Sequence, residues 1–198
     1  MKTVITGGIG AGKSYVCRWL QARGTAIYDC DAAAKRLMRT SEPLQQALIR
    51  LVGKEVYDHA AARDPSRRRL NKAVLAQFLL ASDAHAQAVN DLVHPAVAAD
   101  FVASGLDWME CAIYFDSGFD RRVRMDNVVC VAAPLEIRLR RIMERDGITR
   151  ERALEWVNRQ LPQEEVMRRS NFVVVNDGTE DLDRQLRLLT MRLQEKEK

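Results

Sequence analysis

A glycine-rich stretch near the start of the sequence ends in a lysine and a serine, a combination that binds phosphate. Residues 7–14 read GGIGAGKS and match the pattern G-x-x-x-x-G-K-[ST] at every fixed position. Glycine backbones can turn their N–H groups inward around a phosphate, the lysine adds a positive charge, and the serine hydroxyl can ligate Mg²⁺. The stretch therefore predicts a nucleoside triphosphate site with Mg²⁺ on Ser14. The predicted nucleotide ligands are Gly8, Ile9, Gly10, Ala11, Gly12, Lys13, Ser14 and Tyr15.

Two carboxylates, Asp29 and Asp31, follow a second short strand predicted over residues 26–28. In open α/β sheets, ligands gather outside the carboxyl ends of the strands. One carboxylate there can accept the proton of an attacking hydroxyl, and the other can help to hold the water shell of Mg²⁺. One of the two can instead cap the helix that begins at Ala32, but we do not expect both to be caps.

Arginine is concentrated in a predicted helix that follows the fourth strand. Positive side chains on a movable pair of helices stabilise the charge that spreads over a transferring phosphoryl group. We expect this role for one or two of these arginines and a solvated position for the others. The candidates are Arg138, Arg140, Arg141 and Arg145.

Two further features have structural interpretations. The basic run at residues 67–69 is expected to be a solvated surface patch, with a phosphate-facing role as the less favoured alternative. His94, judged from its own surroundings in the sequence, is expected to be a core histidine rather than a ligand contact.

The elements that must position these residues alternate between strand and helix. Short apolar runs typical of buried parallel strands are separated by stretches with apolar residues at helical spacing. The longest helical stretch, residues 32–103, lies between the second and third strands and is the natural place for a second substrate. The pattern predicts an α/β fold with a parallel sheet flanked by helices. Its five strands are predicted at residues 2–6, 26–28, 108–115, 127–132 and 172–175.

Composition fits one domain with insertions and excludes several classes of protein. The chain has 198 residues, a net charge of +4 and a pI near 9.0, which suit an anionic ligand but argue only weakly for nucleic acid. No apolar run reaches the roughly 18 residues of a membrane helix, and no targeting pattern precedes the glycine-rich stretch. We therefore expect a cytoplasmic protein with no membrane partner. The four cysteines lack C-x-x-C spacing and are expected to be reduced core residues.

Together, the motifs resemble those of the dephospho-coenzyme A kinase family. The resemblance runs over nearly the whole chain and implies transfer of the γ-phosphoryl group of ATP to the 3′-hydroxyl of the ribose in dephospho-coenzyme A, with Mg²⁺ required. It also implies an adenylate-kinase-like P-loop kinase fold with a five-stranded parallel core, a helical substrate domain and a short helical lid. The motifs are TGGIGAGKS (6–14), YDCD (28–31), LVHP (92–95), IYFDSGF (113–119), RDG (145–147), and Gln160 with Asn176-Asp177-Gly178.

The resemblance also assigns roles to residues and segments. It implies that Asp31 is the base facing the acceptor hydroxyl, that Lys13 and Arg141 complete the catalytic set, and that Arg145 and Asn176 bind ATP, Asn176 near the adenine. The implied acceptor contacts are Asp29, Asp31, Lys72, His94 and Asp116. The implied nucleotide-binding core covers residues 1–31, 104–137 and 161–198, the acceptor domain 32–103 and the lid 138–160.

The sequence departs from the family pattern at four positions. Tyr15 stands where a small hydroxyl residue is usual, and Lys72 stands where an arginine is typical, which keeps the charge but loses the bidentate fork. Asp116 replaces a glutamate and so has a shorter reach. Val166 replaces a common lid arginine, for which residues 168–169 are close enough to substitute. The phosphate site and the implied base are unaffected.

Three other functions remain as alternatives. The first is a nucleotide-binding regulator of the same fold that has lost turnover, which the departures at Lys72, Asp116 and Val166 would favour. The second is a nucleoside or nucleotide kinase, against which the paired aspartates and the His-Pro motif argue. The third is a nucleic-acid-binding module, which the pI supports but which lacks interleaved aromatic residues. A monomer acting on a small molecule is the expected form, with an oligomer left open.

Overall fold

The structure is a computed structural model and describes residues 1–58, 64 and 67–195. The strands are β1 (Thr3–Thr6), β2 (Ile27–Asp29), β3 (Tyr57–Asp58), β4 (Arg69–Leu70), β5 (Trp108–Glu110), β6 (Asn127–Ala132) and β7 (Phe172–Val175). The helices are α1 (Lys13–Gln21), α2 (Cys30–Thr40), α3 (Glu42–Val52), α4 (Lys72–Ala81), α5 (Asp83–Ser104), α6 (Leu135–Asp146), α7 (Arg150–Asn158), α8 (Gln163–Arg168) and α9 (Leu182–Glu195).

The principal sheet is five-stranded, in the order β2-β5-β1-β6-β7. β1 runs parallel to β5 and to β6, and β6 runs parallel to β7. Every residue of β1 and β6 is buried, as expected for central strands covered on both faces. One core cluster joins these strands to the apolar faces of α1 and α9 through Ile5, Leu20, Val129 and Leu186. The predicted α/β fold with a five-stranded parallel sheet is confirmed.

The chain divides into two compact units, one formed by residues 1–28 and 106–198 and the other by residues 29–105. The first unit contains most of the sheet and the helices α1 and α6 to α9. The second is mainly helical: α2 to α5 pack together, and β3 and β4 form a short antiparallel ladder. None of the helices in the described ranges has the length and apolar character needed to cross a membrane.

The third strand of the sheet is much shorter than the sequence predicts. Residues 108–115 form an apolar run, but β5 ends at Glu110 and the chain then turns, with Ser117 N–H donating to the Ile113 carbonyl at 2.8 Å. The reason lies in the partner strand, because β1 ends at Thr6 and the chain beyond it leaves the sheet. The apolar side chains that follow Glu110 therefore enter the core from a turn.

The basic run at 67–69 is not a uniformly solvated patch. Arg68 is buried, and its Nη1 donates to Oε1 of the fully buried Gln45 at 3.2 Å. Burial raises the pKa of neighbouring Tyr57 to about 12, while the positive charge of Arg68 acts in the opposite direction. The Tyr57 hydroxyl donates to the Met38 carbonyl at 2.5 Å. Arg68 thus helps to hold the second unit together, and the prediction was wrong for this residue.

Candidate active site

The glycine-rich loop joins β1 to α1 and leaves the first turn of the helix open. α1 begins at Lys13, and Gly12 before it adopts the left-handed conformation with φ 96°. No side chain of the described residues caps this helix. Unfilled N–H groups at a helix start carry partial positive charge and bind phosphate well. The backbone here therefore offers the donors that the sequence pattern predicts.

Lys13 lies directly over the loop. Its Nζ donates to the Gly7 carbonyl at 2.8 Å and, less closely, to the Gly8 carbonyl at 3.4 Å. The same Nζ is 3.8 Å from Oε1 of Glu110, and the two side chains are only 11% and 18% exposed. An ammonium in this place can move from the carbonyl oxygens to the oxygens of a phosphate bound by the loop.

Glu110 is a candidate that the sequence reasoning missed. It is the last residue of β5, and the parallel register places it opposite Ile5 of β1, next to the loop. Its carboxylate is largely buried beside Lys13. A lone charge inside an apolar strand is costly unless it has a partner, so this one acidic residue in the run 108–115 was the available signal.

Arg141 and Asn176 meet beside the second half of the loop, at Gly10 and Ala11. Arg141 Nη1 donates to the carbonyls of Gly10 and Ala11, both at 3.3 Å, and its Nη2 donates to Asn176 Oδ1 at 3.2 Å. Asn176 Nδ2 donates to the Ala11 carbonyl at 2.9 Å. The structure thus brings two of the predicted residues to the loop, where they bind its carbonyl groups. Arg145 is different: it is exposed and paired with Asp146, with Nη2 and Oδ2 2.7 Å apart.

Ile9, near the tip of the loop, is bound on both sides of its backbone. Its N–H donates to Gln160 Oε1 at 2.8 Å, and its carbonyl accepts from Arg138 Nε at 2.9 Å. The sequence reasoning counted Gln160 among the family motifs and Arg138 among the arginines, but it did not predict that either would contact the loop.

Three of the side chains that contact the loop are positively charged. Lys13, Arg138 and Arg141 all contact its carbonyl groups. Arg138 is buried, and burial lowers its pKa, while the carboxylate of Glu164 raises it. Burial also raises the pKa of the Cys130 thiol to about 11 against the opposing pull of Lys13 and Arg138, so this thiol adds no negative charge at neutral pH. The arrangement favours an anionic ligand.

Two predicted ligands of the first unit have contacts of their own. Tyr15 is 43% exposed, and its hydroxyl hydrogen bonds to Asp183 Oδ1 of α9 at 3.3 Å. Asp116 Oδ1 accepts from the N–H of Leu161 at 2.6 Å. Asp116 therefore helps to fix the segment between α7 and α8.

Val166, which stands where the family commonly has a lid arginine, is part of the core. Val166 is buried in a cluster with Cys130 and Ala132 of β6. The neighbouring arginines 168–169 form ion pairs, Arg168 with Glu165 and Arg169 with Asp120. These two arginines are thus engaged with carboxylates.

The remaining predicted residues belong to the second unit. Asp29 Oδ1 accepts from the N–H of Ala32 at 2.9 Å, so Asp29 is the N-cap of α2, which is the structural alternative that the sequence left open for one of the two aspartates. Asp31 lies in the first turn of α2 with an exposed side chain. Lys72 is the exposed first residue of α4, and His94 is half-buried in α5.

Comparison with known proteins identifies the group to which these features belong. A family model described as dephospho-CoA kinase matches residues 2–181. The dephospho-CoA kinase of Bacteroides fragilis (strain YCH46) is 37% identical over 189 residues, covering 92% of this chain and 87% of the relative. The crystal structure of TT1252 from Thermus thermophilus is 31% identical, with a TM-score of 0.77 over 98% of this chain and 97% of that one. A dephospho-CoA kinase from Campylobacter jejuni, 17% identical, shares the fold with a TM-score of 0.67 over the whole of both chains.

Proposed function

The chain belongs to the dephospho-CoA kinase family, and we propose that it transfers the γ-phosphoryl group of ATP to the 3′-hydroxyl of the ribose in dephospho-CoA, giving coenzyme A. The observation that carries the proposal is the family match, which spans both the glycine-rich loop and the helical unit of residues 29–105. The chemistry of the loop supports the same reaction, because phosphoryl transfer needs mainly positioning and charge stabilisation.

On the nucleotide side, the loop N–H groups and the open start of α1 bind the β- and γ-phosphates of ATP. Lys13 contacts the γ-phosphate during transfer, and Arg141 stabilises the charge that develops on it. Arg145, on the predicted lid of residues 138–160, leaves Asp146 to contact the triphosphate, and Asn176 lies near the adenine. The contacts of Lys13 and Arg141 with the loop carbonyls support these roles.

On the acceptor side, Asp31 accepts the proton of the 3′-hydroxyl. The support is the resemblance, together with the capping role of Asp29. Both aspartates are exposed, but the Asp29 carboxylate accepts the N–H of Ala32 at the start of α2, so Asp31 is the better candidate for the base. Residues 32–103 bind dephospho-CoA, with contacts from Lys72 and His94. Asp29 and Asp116 contribute to this side through the backbone segments that they hold.

Two oxygen-bearing side chains would hold Mg²⁺, one at the start of α1 and one at the end of β5. The Ser14 hydroxyl would be a direct ligand, and the Glu110 carboxylate would bind the water shell of the ion. The donor set fits this ion, which takes one or two protein oxygens and completes its shell with phosphates and water. Mg²⁺ bound there would supply positive charge that offsets the negative charge of the phosphates.

We further propose that the enzyme acts as a monomer in the cytoplasm. Its four cysteines are buried free thiols, which suits a reducing compartment. Light scattering during gel filtration measures the mass in solution, for which a single chain predicts 22.5 kDa.

A coupled ADP-release assay tests the reaction. Mg·ATP is supplied with dephospho-CoA, adenosine, AMP or no acceptor, and Lys13→Ala serves as the inactive control. We expect turnover that depends on dephospho-CoA. Tight ATP binding without acceptor-dependent turnover would favour the regulator, and equal turnover with adenosine or AMP would favour the nucleoside or nucleotide kinase.

A further inference from the structure

Ile9 is joined to the α6–α7 segment by its side chain as well as by its backbone. The side chain packs against the apolar cluster of Leu139, Ile142 and Ala153, which holds α6 and α7 together. Arg138, whose Nε donates to the Ile9 carbonyl, precedes Leu139 in the same helix. All contacts lie within the first compact unit.

We propose that Arg138 and Gln160 are positioning residues for ATP, and that they act by fixing the backbone of Ile9 from both sides. We call the three residues Arg138, Gln160 and Ile9 the Ile9 clamp. The residues of the clamp come from the two ends of one segment, because Arg138 lies near the start of α6 and Gln160 lies two residues after α7 ends at Asn158. The segment between them is the predicted lid, so the clamp ties both ends of the lid to the phosphate loop.

The clamp affects ATP binding because it fixes the direction of peptide groups in the loop. Arg138 holds the Ile9 carbonyl on the side of α6, which disfavours rotation of the peptide groups that follow in the loop. A loop that is already ordered loses less conformational entropy when the triphosphate binds. The buried positive charge of Arg138 also strengthens ATP binding, because a bound triphosphate brings negative charge close to it.

The two hydrogen bonds differ in strength, which gives the proposal a graded expectation. The bond from Arg138 is charge-assisted, whereas the bond to Gln160 joins neutral groups. Loss of the first should weaken ATP binding by about tenfold, and loss of the second by about fivefold. Arg138→Lys retains a cationic donor and should lie between the parent and Arg138→Met.

Calorimetric titration with Mg·ATP, in the absence of acceptor, tests the proposal. The variants are Arg138→Met, Arg138→Lys, Gln160→Ala and the double variant Arg138→Met/Gln160→Ala. Arg140→Met is the matched control, because Arg140 is an exposed arginine of the same helix. Thermal unfolding establishes that each variant is folded, and Gln160, which is only partly buried, provides the test if Arg138→Met does not fold.

We expect the two single changes to be strongly non-additive, because the two bonds hold the successive peptide groups on either side of Ile9. Release of either bond lets the Ile9 backbone move and leaves less for the other bond to hold. In turnover, KM for ATP should rise while KM for dephospho-CoA stays within about twofold of the parent. Unchanged ATP affinity in folded Arg138→Met or Gln160→Ala would overturn the proposal, as would a double variant whose losses simply multiply. The proposal rests on the proposed function only in taking ATP as the ligand. If ATP binds but dephospho-CoA is not phosphorylated, the titration still tests the clamp.

Discussion

The guanidinium of Arg138 occupies the space that a side chain on Gly8 would need. A Cβ placed on Gly8 would lie 2.7 Å from Arg138 Cζ and even closer to Nη2. The backbone of Arg138 is equally close to the loop, because a Cβ on Gly10 would lie 2.6 Å from the Arg138 carbonyl oxygen. Helix α6 therefore restricts both positions independently of any bound phosphate, Gly10 through the backbone of Arg138 and Gly8 through its guanidinium, which a methyl group would displace.

The two glycines should respond differently to a change at Arg138. In the parent, Gly8→Ala should weaken ATP binding by more than about tenfold because the new methyl group displaces the guanidinium from Ile9. In an Arg138→Ala background the same change should cost less than about twofold, since the obstructing atoms are gone. Gly10→Ala should be damaging in both backgrounds, because φ there is +79° and the obstruction is backbone. Titration with ATP measures the affinity of each glycine variant in the parent and in the Arg138→Ala background. Equal losses of ATP affinity from Gly8→Ala in both backgrounds would contradict the account.

Asp29 and Asp31 should separate into a structural and a catalytic role. Asp31→Asn should lower kcat by roughly 10²–10⁴-fold, as expected for a lost general base, while ATP affinity stays within about twofold. Asp29→Asn is the matched control, because asparagine caps helices as well as aspartate does, and Asp29→Ala should lower the free energy of unfolding by about 1 kcal/mol. Steady-state kinetics and urea unfolding measure the two effects. Full activity in Asp31→Asn would remove its role as base.

Glu110 should determine how much Mg²⁺ the enzyme needs. Glu110→Gln keeps the size of the side chain but removes the charge that faces Lys13 and the proposed water shell of the ion. We expect the Mg²⁺ concentration for half-maximal rate to rise by about threefold or more. ATP affinity measured without Mg²⁺ separates this effect from the loss of the contact with Lys13. An unchanged Mg²⁺ dependence would exclude Glu110 from the ion's surroundings.

Cys130 should be unreactive in the folded protein and sensitive to alkaline pH. Burial raises its pKa from 9.0 to about 11, so the fold favours the protonated thiol. The resulting stabilisation is complete below pH 9 and is lost as the pH rises towards about 11. At pH 8, Cys130 should react with iodoacetamide at least about a hundredfold more slowly in the native protein than in the urea-unfolded protein. Peptide mass spectrometry measures both rates of alkylation. In Cys130→Ala, the free energy of unfolding should fall less steeply at alkaline pH than in the parent. Equal alkylation rates of Cys130 in native and unfolded protein would contradict the assignment.

The sequence predicted those features that depend on local spacing. The glycine-rich loop, the alternation of strands and helices, and a helix cap from the aspartate pair all follow from residues close together in the chain. The end of β5 did not, because it depends on where β1 stops. Burial of Arg68 was missed for a related reason: its partner, Gln45, lies 23 residues away.

The contacts around the loop are the clearest case of information that one sequence does not contain. Gln160 and Ile9 are separated by 151 residues, and Arg138 and Ile9 by 129. Each is a common residue in an ordinary position for an amphipathic helix or a turn, so its type and spacing do not identify a partner. Only the parallel order of the sheet, which places β6 beside β1 and α6 after β6, brings them together.

The most direct test of the central claim is transfer of label from [γ-³²P]ATP to dephospho-CoA. The proposed reaction predicts that the label appears in coenzyme A as the 3′-phosphate, that Lys13→Ala and Asp31→Asn form little or none, and that omission of acceptor leaves no labelled nucleotide product. Release of labelled inorganic phosphate alone, or label in adenosine or AMP with none in coenzyme A, would contradict it.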